Sequence, residues 1–375
     1  MGAPNGFGVT LQNLFGSWPR ENIRYFYNRG EYTQQPKADL DFRFAPVPAS
    51  PGRRFAIPKI LGISPEWRGQ YSRTWLKRNL RGFQPDLVFS SVHSFDTILF
   101  GDWISRQVNK PHALHIMDEP FAGISKDHVC SVLKRTCSLM TISEAMRMAY
   151  RDMYGMDSEV FHNGAESAFF ELSPALDKNG PIRLRFVGNL LKLQHFNAIE
   201  DIAEAVSQYN RDAHRPVILE IFGNENPPGC SSSILRKNEV FFKGPVPLSQ
   251  RLETIAGADI LIIPFTFDSN NFDSYRLSIP TKLPENLATG IPLLLYGPDG
   301  MAATDLALKH GLATVLTKRS VSDLVQFLKD FNTDPSPFLR KAIEAKEFTR
   351  RELSADTISQ RFRERLMACV TPNAA

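Results

Sequence analysis

The chain has 375 residues, more than a single ordinary domain needs and enough for two domains with separate cores. Its composition, 42% hydrophobic and 22% charged, excludes a disordered or collagen-like chain, and a net charge of +4 is too small by itself to argue for nucleic acid. Four cysteines, Cys130, Cys137, Cys230 and Cys369, stand without a Cys-x-x-Cys pair, so neither a disulfide framework nor a zinc site is indicated and a reducing cytosol is the default. No run approaches the ~20 apolar residues of a membrane span. The N-terminus lacks the basic region and apolar core of a secretory signal, and Gly6 stands where N-myristoylation prefers Ser or Thr.

The first half alternates strand-like and helix-like segments. Residues 6–15 read as a glycine turn, Gly6 and Gly8, opening a helix. Strands are expected at Ile23 to Tyr27, Phe42 to Ala45, Leu87 to Ser90, Ala113 to Met117 and Leu139 to Ile142, with helices near 94–108 and 143–154. This is the pattern of a parallel sheet wound with helices. In such a fold the glycine turn follows the first strand, yet only five residues precede Gly6, so the first strand is expected to be missing from this chain.

Residues 51 to 82 carry eight basic side chains against Glu66 alone, with Trp67, Tyr71 and Trp75 interleaved. A solvated helix face, an anionic membrane surface or lipid diphosphate, and single-stranded nucleic acid all fit that pattern. The working expectation is no nucleic acid, and a cytoplasmic chain with peripheral contact to the inner face of a membrane. Further on, His115 and Asp118 fall at the C-terminal end of a strand, where open α/β sheets put their ligands. A satisfied core histidine is the other reading of His115.

Ser143 reads as a helix cap, Gly155 as its stop and Asn163-Gly164 as a turn. Glu171 to Pro181 reads as a hinge. In the second half strands are expected at Arg183 to Val187, Val217 to Phe222, Val240 to Phe242, Asp259 to Pro264, Pro292 to Tyr296 and Ala313 to Leu316. Helices near 196–209, 248–256, 282–289, 301–310 and 320–330 separate them, which makes a Rossmann-like domain. Gly188 and Gly223 follow its first two strands and let backbone approach a ligand, although any tight βα turn uses glycine. After Pro335-Ser-Pro337 the chain is helical, and Phe348 to Met367 is strongly amphipathic.

The chemistry is expected in residues 273–297. A loop ends near Thr281, a short helix runs to Gly290, and Lys282 and Glu285 lie three apart on one face of its first turn. Glu285 does not form a capping box, because residue 282 is Lys rather than Ser or Thr; electrostatic support of the helix start by an acid in its first turn is the other reading of Glu285. A lysine and a carboxylate at the C-terminal side of a sheet suit a sugar nucleotide: Lys282 meets phosphate and Glu285 accepts hydrogen bonds from ribose hydroxyls.

The run Ser278-Ile-Pro-Thr-Lys-Leu-Pro-Glu285-Asn-Leu-Ala-Thr-Gly290-Ile-Pro resembles the donor-binding motif of the GT-B glycosyltransferases of the retaining family 4, or "group 1", type. Pro280, Lys282 and Glu285 match a branch with the spacing Pro-x-Lys-x-x-Glu; the first Glu of the commoner form would fall at Leu277. Residues 141–164 are similar to the end of the N-terminal domain in the same transferases. The resemblance implies an α/β, GT-B fold: two facing Rossmann-like, doubly wound domains with a cleft between them. It implies an N-terminal acceptor domain over 1–170, a donor domain over 171–345, and a last helix, 346–375, crossing back to the first domain.

The implied reaction moves a sugar from a nucleotide-diphosphate sugar to an acceptor hydroxyl, in polysaccharide or cell-envelope glycan synthesis, with the anomeric configuration retained. The donor is substrate; no cofactor and no obligatory metal are expected. A glycan or lipid-linked molecule is the expected acceptor. Many members place Arg and Lys where this chain has Asn189 and Gln194, so diphosphate charge is expected from Lys192, Arg276 or Lys282, with Ser278 also at the donor. His115 and Asp118 are implied to face the transferring sugar or the acceptor. Two alternatives stay open: a non-catalytic GT-B protein used for binding or assembly, and a sugar-nucleotide epimerase.

Overall fold

A computed structural model describes residues 6–28, 43–47, 73–92, 94–119, 121, 123–174, 176, 179–223, 239–268, 272 and 275–371. The chain divides into two compact units. Unit 1 comprises Met1–Ile142, Arg147–Phe161 and Ser359–Ala375; unit 2 comprises Ser143–Met146 and His162–Ile358.

Unit 1 contains two parallel sheets. Strands β1 (Arg24–Asn28) and β2 (Arg43–Val47) pair with each other, and β3 (Val88–Val92), β4 (His112–Ile116), β5 (Ser138–Thr141) and β6 (Glu159–Val160) follow one another in chain order. The expected strands are all present, shifted by a residue or two. Helices α1 (Gly6–Phe15), α2 (Arg73–Asn79), α3 (Phe95–Val108), α4 (Lys126–Leu133) and α5 (Glu144–Tyr154) connect or flank them. Gly6 and Gly8 do not form a turn ahead of the first helix: α1 begins at Gly6, so both lie in its first turn. Asn109, in the left-handed region at φ 52°, stops α3, as Asn tolerates better than most residues. Gly101 lets α3 lie against the sheet, since a Cβ there would overlap Ser90 and His112.

Trp75, one of the aromatics interleaved with basic residues, is a packing residue. Its ring lies 5.2 Å from that of Phe26 and 6.1 Å from that of Phe100. The basic side chains of residues 51–72, with Trp67 and Tyr71, lie outside the described residues; Lys77 and Arg78 on α2 are exposed. Among the described residues no helix is long and apolar enough to cross a membrane.

Unit 2 is built on one six-stranded, all-parallel sheet of β7 (Ile182–Val187), β8 (Val217–Phe222), β9 (Val240–Gly244), β10 (Ile260–Pro264), β11 (Leu293–Tyr296) and β12 (Thr314–Leu316). The spatial order is β12-β11-β10-β7-β8-β9, the doubly wound order in which the winding reverses between the first and fourth strands. β10 and β11 are buried along their whole length. That is why they read as continuous apolar runs rather than as alternating ones. In β7 alternate residues Ile182, Leu184 and Phe186 enter the core with Phe196, Ile199 and Val206, which lie on the helix after β7, and with Phe327 and Phe331.

The helices of unit 2 are α6 (Ser167–Phe170), α7 (Lys192–Asn210), α8 (Arg251–Ala256), α9 (Lys282–Ala288), α10 (Ala302–His310), α11 (Val321–Thr333) and α12 (Ser336–Glu352). α7 starts earlier than its apolar periodicity suggests. The amphipathic stretch Phe348 to Met367 is not one helix: α12 ends at Glu352 and α13 (Ala355–Val370) begins after a break. At the break Ala165 takes up backbone bonds from both sides, donating to the Leu353 carbonyl and accepting from Ala355 N–H, each at 2.8 Å. The Ser354 hydroxyl then caps α13 by accepting from Thr357 N–H at 3.2 Å. From Ser359 on, α13 packs in unit 1, where Phe362 is fully buried against Phe15, Phe89 and Phe161.

Candidate functional site

The reversal of winding in unit 2 lies between β7 and β10, and loops leaving the C-terminal ends of such strands diverge to leave a crevice. The segment after β7 carries Gly188; the segment after β10 leads through residues 265–281 to α9 with Lys282 and Glu285. Two motifs far apart in sequence therefore emerge from adjacent strands. Gly188 has φ 147°, and a Cβ there would come within 3.3 Å of the Lys282 ammonium. A Cβ on Gly223, after β8, would overlap the Gly188 carbonyl oxygen. Gly223 is thus required by close approach to backbone, and Gly188 by its backbone conformation.

Lys282 opens α9 with its Nζ 3.9 Å from the centroid of the Phe186 ring. Burial, reinforced by Arg251 and opposed by Glu285, draws its ammonium down to about 7. Glu285, one turn further, is 1% exposed. Its carboxylate is gripped by the Arg251 guanidinium in a two-pronged ion pair, with Nη1 donating to Oε1 at 2.9 Å and Nη2 to Oε2. Burial pushes the Glu285 carboxyl up to about 7, while Arg251 pulls the other way. The first turn of α9 is therefore held by an ion pair to α8 and not by a side-chain cap, none being made at Thr281. Pro284 sits buried in that turn, where no intrahelical bond is lost, and Gly290 at φ 73° ends the helix.

The arrangement offers cationic side chains beside open backbone, which suits an anionic group, and a buried carboxylate, which suits hydroxyl donors. Of the other expected donor residues, Asn189 is exposed next to Gly188. Lys192 is the first residue of α7, and its side chain is outside the described residues. Arg276 and Ser278 lie half-buried in the segment before α9; Arg276 accepts Ala302 N–H at its carbonyl at 2.7 Å, and Ser278 N–H donates to Tyr275 O at 3.0 Å. Leu277 is buried and its carbonyl accepts the Ser143 hydroxyl. Gln194 uses its carbonyl to hold Thr266 N–H at 2.7 Å.

In unit 1, His115 lies fully buried in β4, in register with Ser91 and Met140, and its Nε2–H donates to the Phe161 carbonyl at 3.0 Å. Asp118 is exposed just beyond the strand end. Among the described residues no group of three His, Cys, Asp or Glu side chains is arranged to hold a metal ion.

Two residues of the unit 2 cluster are ones that the sequence motifs do not single out. Arg251 stands in an ordinary helix and reaches Glu285 only through the fold. His195, on the second residue pair of α7's first turn, accepts Leu191 N–H at Nδ1 at 3.0 Å and sets its ring edge against Phe186 at 5.3 Å. Burial, with repulsion from Lys282, holds it neutral, well below the usual histidine range. An i, i+4 relation between Leu191 and His195 at a strand-to-helix turn is the one local hint that a side chain closes this loop.

No protein-family model matches the chain, and no curated protein matches it in sequence. Solved structures do match in fold. A glycosyltransferase from Rickettsia africae superposes with a TM-score of 0.68 at 11% identity, covering 98% of this chain and 95% of the other. HepE of Anabaena, crystallised with UDP and glucose, gives 0.67 at 12% identity over 98% and 97% of the two chains. The lipopolysaccharide outer core galactosyltransferase WaaB gives 0.64 at 17% identity over 98% and 96%. At these identities the likeness establishes the fold, and the chain has the α/β, GT-B fold of these glycosyltransferase structures.

Proposed function

We propose that the protein is a glycosyltransferase whose unit 2 binds a nucleoside-diphosphate sugar, with transfer to an acceptor hydroxyl. The observation that carries this reading is the meeting of Gly188, Lys282, Glu285 and Arg251 at the loops leaving β7, β10 and β9. Lys282 neutralises the diphosphate, Gly188 and Gly223 give it backbone access, and Glu285, held by Arg251, receives ribose hydroxyls in its ionised form. Departure of the nucleoside diphosphate is the demanding step, and fixed cations stabilise the charge that develops on it. Asp118, exposed at the end of β4, is assigned to the transferring sugar or acceptor, with His115 buried in the same strand. HepE is crystallised with UDP and with UDP-glucose, which makes UDP the first base to test. The lipopolysaccharide substrate in WaaB's description supports a cell-envelope glycan setting, and the Pro-x-Lys-x-x-Glu spacing supports retention of configuration.

The test is calorimetry of the purified chain with UDP, GDP and ADP, followed by release of nucleoside diphosphate from the matching sugar donor with a panel of glycan and lipid-linked acceptors. Binding of one nucleotide and acceptor-dependent release support the reading; a folded chain that binds none of the three refutes it. Proton NMR of the product anomer tests retention. A second reading, a donor-binding protein without transfer, is favoured by one observation: both Glu285 oxygens are already taken by Arg251. Binding without release across the whole panel selects it.

A further inference from the structure

Ser143 and Asn163 are remote from α9 in sequence, yet both hydrogen-bond to the segment that leads into it. Ser143–Met146 and the chain from His162 to Ile358 belong to unit 2. The Ser143 hydroxyl caps α5, as its place in the sequence predicts, by accepting Met146 N–H at 2.9 Å. It spends its own proton on the Leu277 carbonyl, at 2.5 Å. Asn163, three residues past β6, donates its side-chain amide to the Thr281 carbonyl at 3.1 Å. Both residues are 1% exposed, so water does not replace either bond when it is lost. Residues 277–281 are thereby pinned at both ends.

Asn163 is itself held in place. Two residues on, Ala165 donates to the Leu353 carbonyl and accepts from Ala355 N–H. Further along, Phe169 on α6 backs the Arg251 guanidinium, whose carbon lies 5.8 Å from the ring centroid. The segment after β6 therefore serves both arms of the first turn of α9. Phe169 supports Arg251, which grips Glu285, and Asn163 holds the carbonyl immediately before Lys282. That carbonyl belongs to the planar Thr281–Lys282 peptide, so fixing it sets the direction in which the Lys282 side chain leaves the backbone. An ion pair aims Glu285; this peptide aims Lys282.

We propose that Ser143 and Asn163 are positioning residues of the nucleotide site: by pinning residues 277–281 they fix the Thr281–Lys282 peptide and aim Lys282 at the diphosphate. The proposal rests on unit 2 binding a nucleoside diphosphate. Neither residue touches the ligand; each removes freedom from the lysine before the ligand arrives, so that less is lost on binding.

The test is calorimetry of the full chain with UDP, GDP and ADP, then with whichever binds on Ser143→Ala and Asn163→Ala, each alone and combined with Lys282→Met, with a melting curve for every variant. Each single variant is expected to weaken binding by roughly 3- to 10-fold, the worth of a neutral hydrogen bond. In the Lys282→Met background the same substitution should change affinity by less than about 2-fold, because the aim of an absent ammonium no longer matters. Ser143→Thr, which keeps the hydroxyl, retains the parent's affinity. Asn210→Ala is the control for a purely structural loss: at the end of α7 its side chain bonds both the Val217 N–H and the Val217 carbonyl, each at 2.8 Å. It should lower the melting temperature and leave affinity unchanged. Equal losses with and without Lys282, or unchanged affinity in folded variants, overturn the proposal. Where one alanine variant fails to fold the other carries the comparison, and failure of both assigns the pair to the fold and overturns the proposal as well. A parent chain that binds none of the three nucleotides refutes the donor reading and the proposal with it, an outcome told apart from the others because it needs no variant.

Discussion

The two units are both wound parallel sheets with ionisable groups buried in their strands, but among the described residues unit 2 adds a buried charged cluster beyond its strand ends. In unit 1 the buried histidines sit inside strands and close their bonds within the sheet: His112 Nε2 with the Ser90 hydroxyl at 2.9 Å, His115 with the Phe161 carbonyl at 3.0 Å. Desolvation holds His112 down to about 4, so it is neutral at physiological pH. Asp102 on α3 is likewise satisfied, by Arg106 at 2.7 Å and Arg135 at 3.0 Å. Unit 2 also closes one ion pair inside its strands, Arg185 of β7 with Glu220 of β8 at 2.6 Å, but Lys282, Glu285 and Arg251 gather beyond the strand ends, on segments that follow the sheet's C-terminal edge. A polar group inside a strand serves the fold that surrounds it, whereas one on a diverging loop is available to a ligand.

The largest effect expected from breaking that contrast is at Arg251. Arg251→Met leaves a carboxylate that is 1% exposed without its partner, a change that costs about 3–5 kcal/mol. Pairing it with Glu285→Leu restores most of the stability, while nucleotide binding stays lost. Urea melts of the three variants beside calorimetry with UDP check this; a single variant as stable as the parent would show that the ion pair does not organise α9.

Lys282→Met removes a cation that burial already disfavours. Stability is expected to hold or rise, while affinity for UDP falls by roughly 10-fold or more, the range of a charge-assisted bond of about 1.5–3 kcal/mol. Equal affinity in parent and variant, both folded, removes Lys282 from the diphosphate.

The pH dependence sharpens the same assignment. Lys282 must be protonated to meet phosphate, and its ammonium loses its proton as pH rises through about 7; Glu285 must be ionised to accept hydroxyls, and it gains a proton as pH falls through about 7. Nucleotide affinity is therefore expected to peak near neutrality and fall on both sides. The stability of the free unit runs the other way. Glu285, raised in the fold, contributes stability below its unfolded range that is lost as pH climbs to about 7, whereas Lys282, depressed in the fold, makes stability recover between about 7 and its ordinary alkaline value. Calorimetry and melting between pH 5.5 and 9 would separate these opposed curves, and Lys282→Arg, which stays charged, should remove the alkaline limb of the binding curve. A flat binding profile would contradict both protonation assignments.

The smallest effects are expected in unit 1. His115→Gln breaks a buried hydrogen bond and should cost about 1–3 kcal/mol of stability, with UDP affinity unchanged. Asp118→Asn, at an exposed position, should leave stability within about 0.5 kcal/mol and reduce transfer alone. Loss of nucleotide binding in Asp118→Asn would erase the division of labour between the units.

Much of the fold was legible because its signals are local. Alternating or continuous apolar runs located the strands of both units, Gly290 stopped α9, and the six strands of the second half with their crossover helices implied a doubly wound sheet. Lys282 and Glu285 were legible through spacing, and Gly188 and Gly223 through their place after strands. The misreadings were local as well: the glycines taken for a turn lie inside α1, and the apolar face of Phe348 to Met367 runs across a break that periodicity does not register, since Ala165 makes it from another part of the chain.

The sequence by itself determined the α/β class, the positions of the elements and the residue types brought to the loops after β7 and β10, because backbone periodicity and turn chemistry act over a few neighbours. Only the tertiary structure decided that Arg251 grips Glu285, that Lys282 lies over Phe186 beside Gly188, and that His115 is spent on Phe161. Each of those pairings depends on strand order and helix docking, and the altered protonation of Lys282 and Glu285 depends on water being excluded by residues remote in sequence. Desolvation is a property of the packed chain, which no run of neighbouring letters encodes.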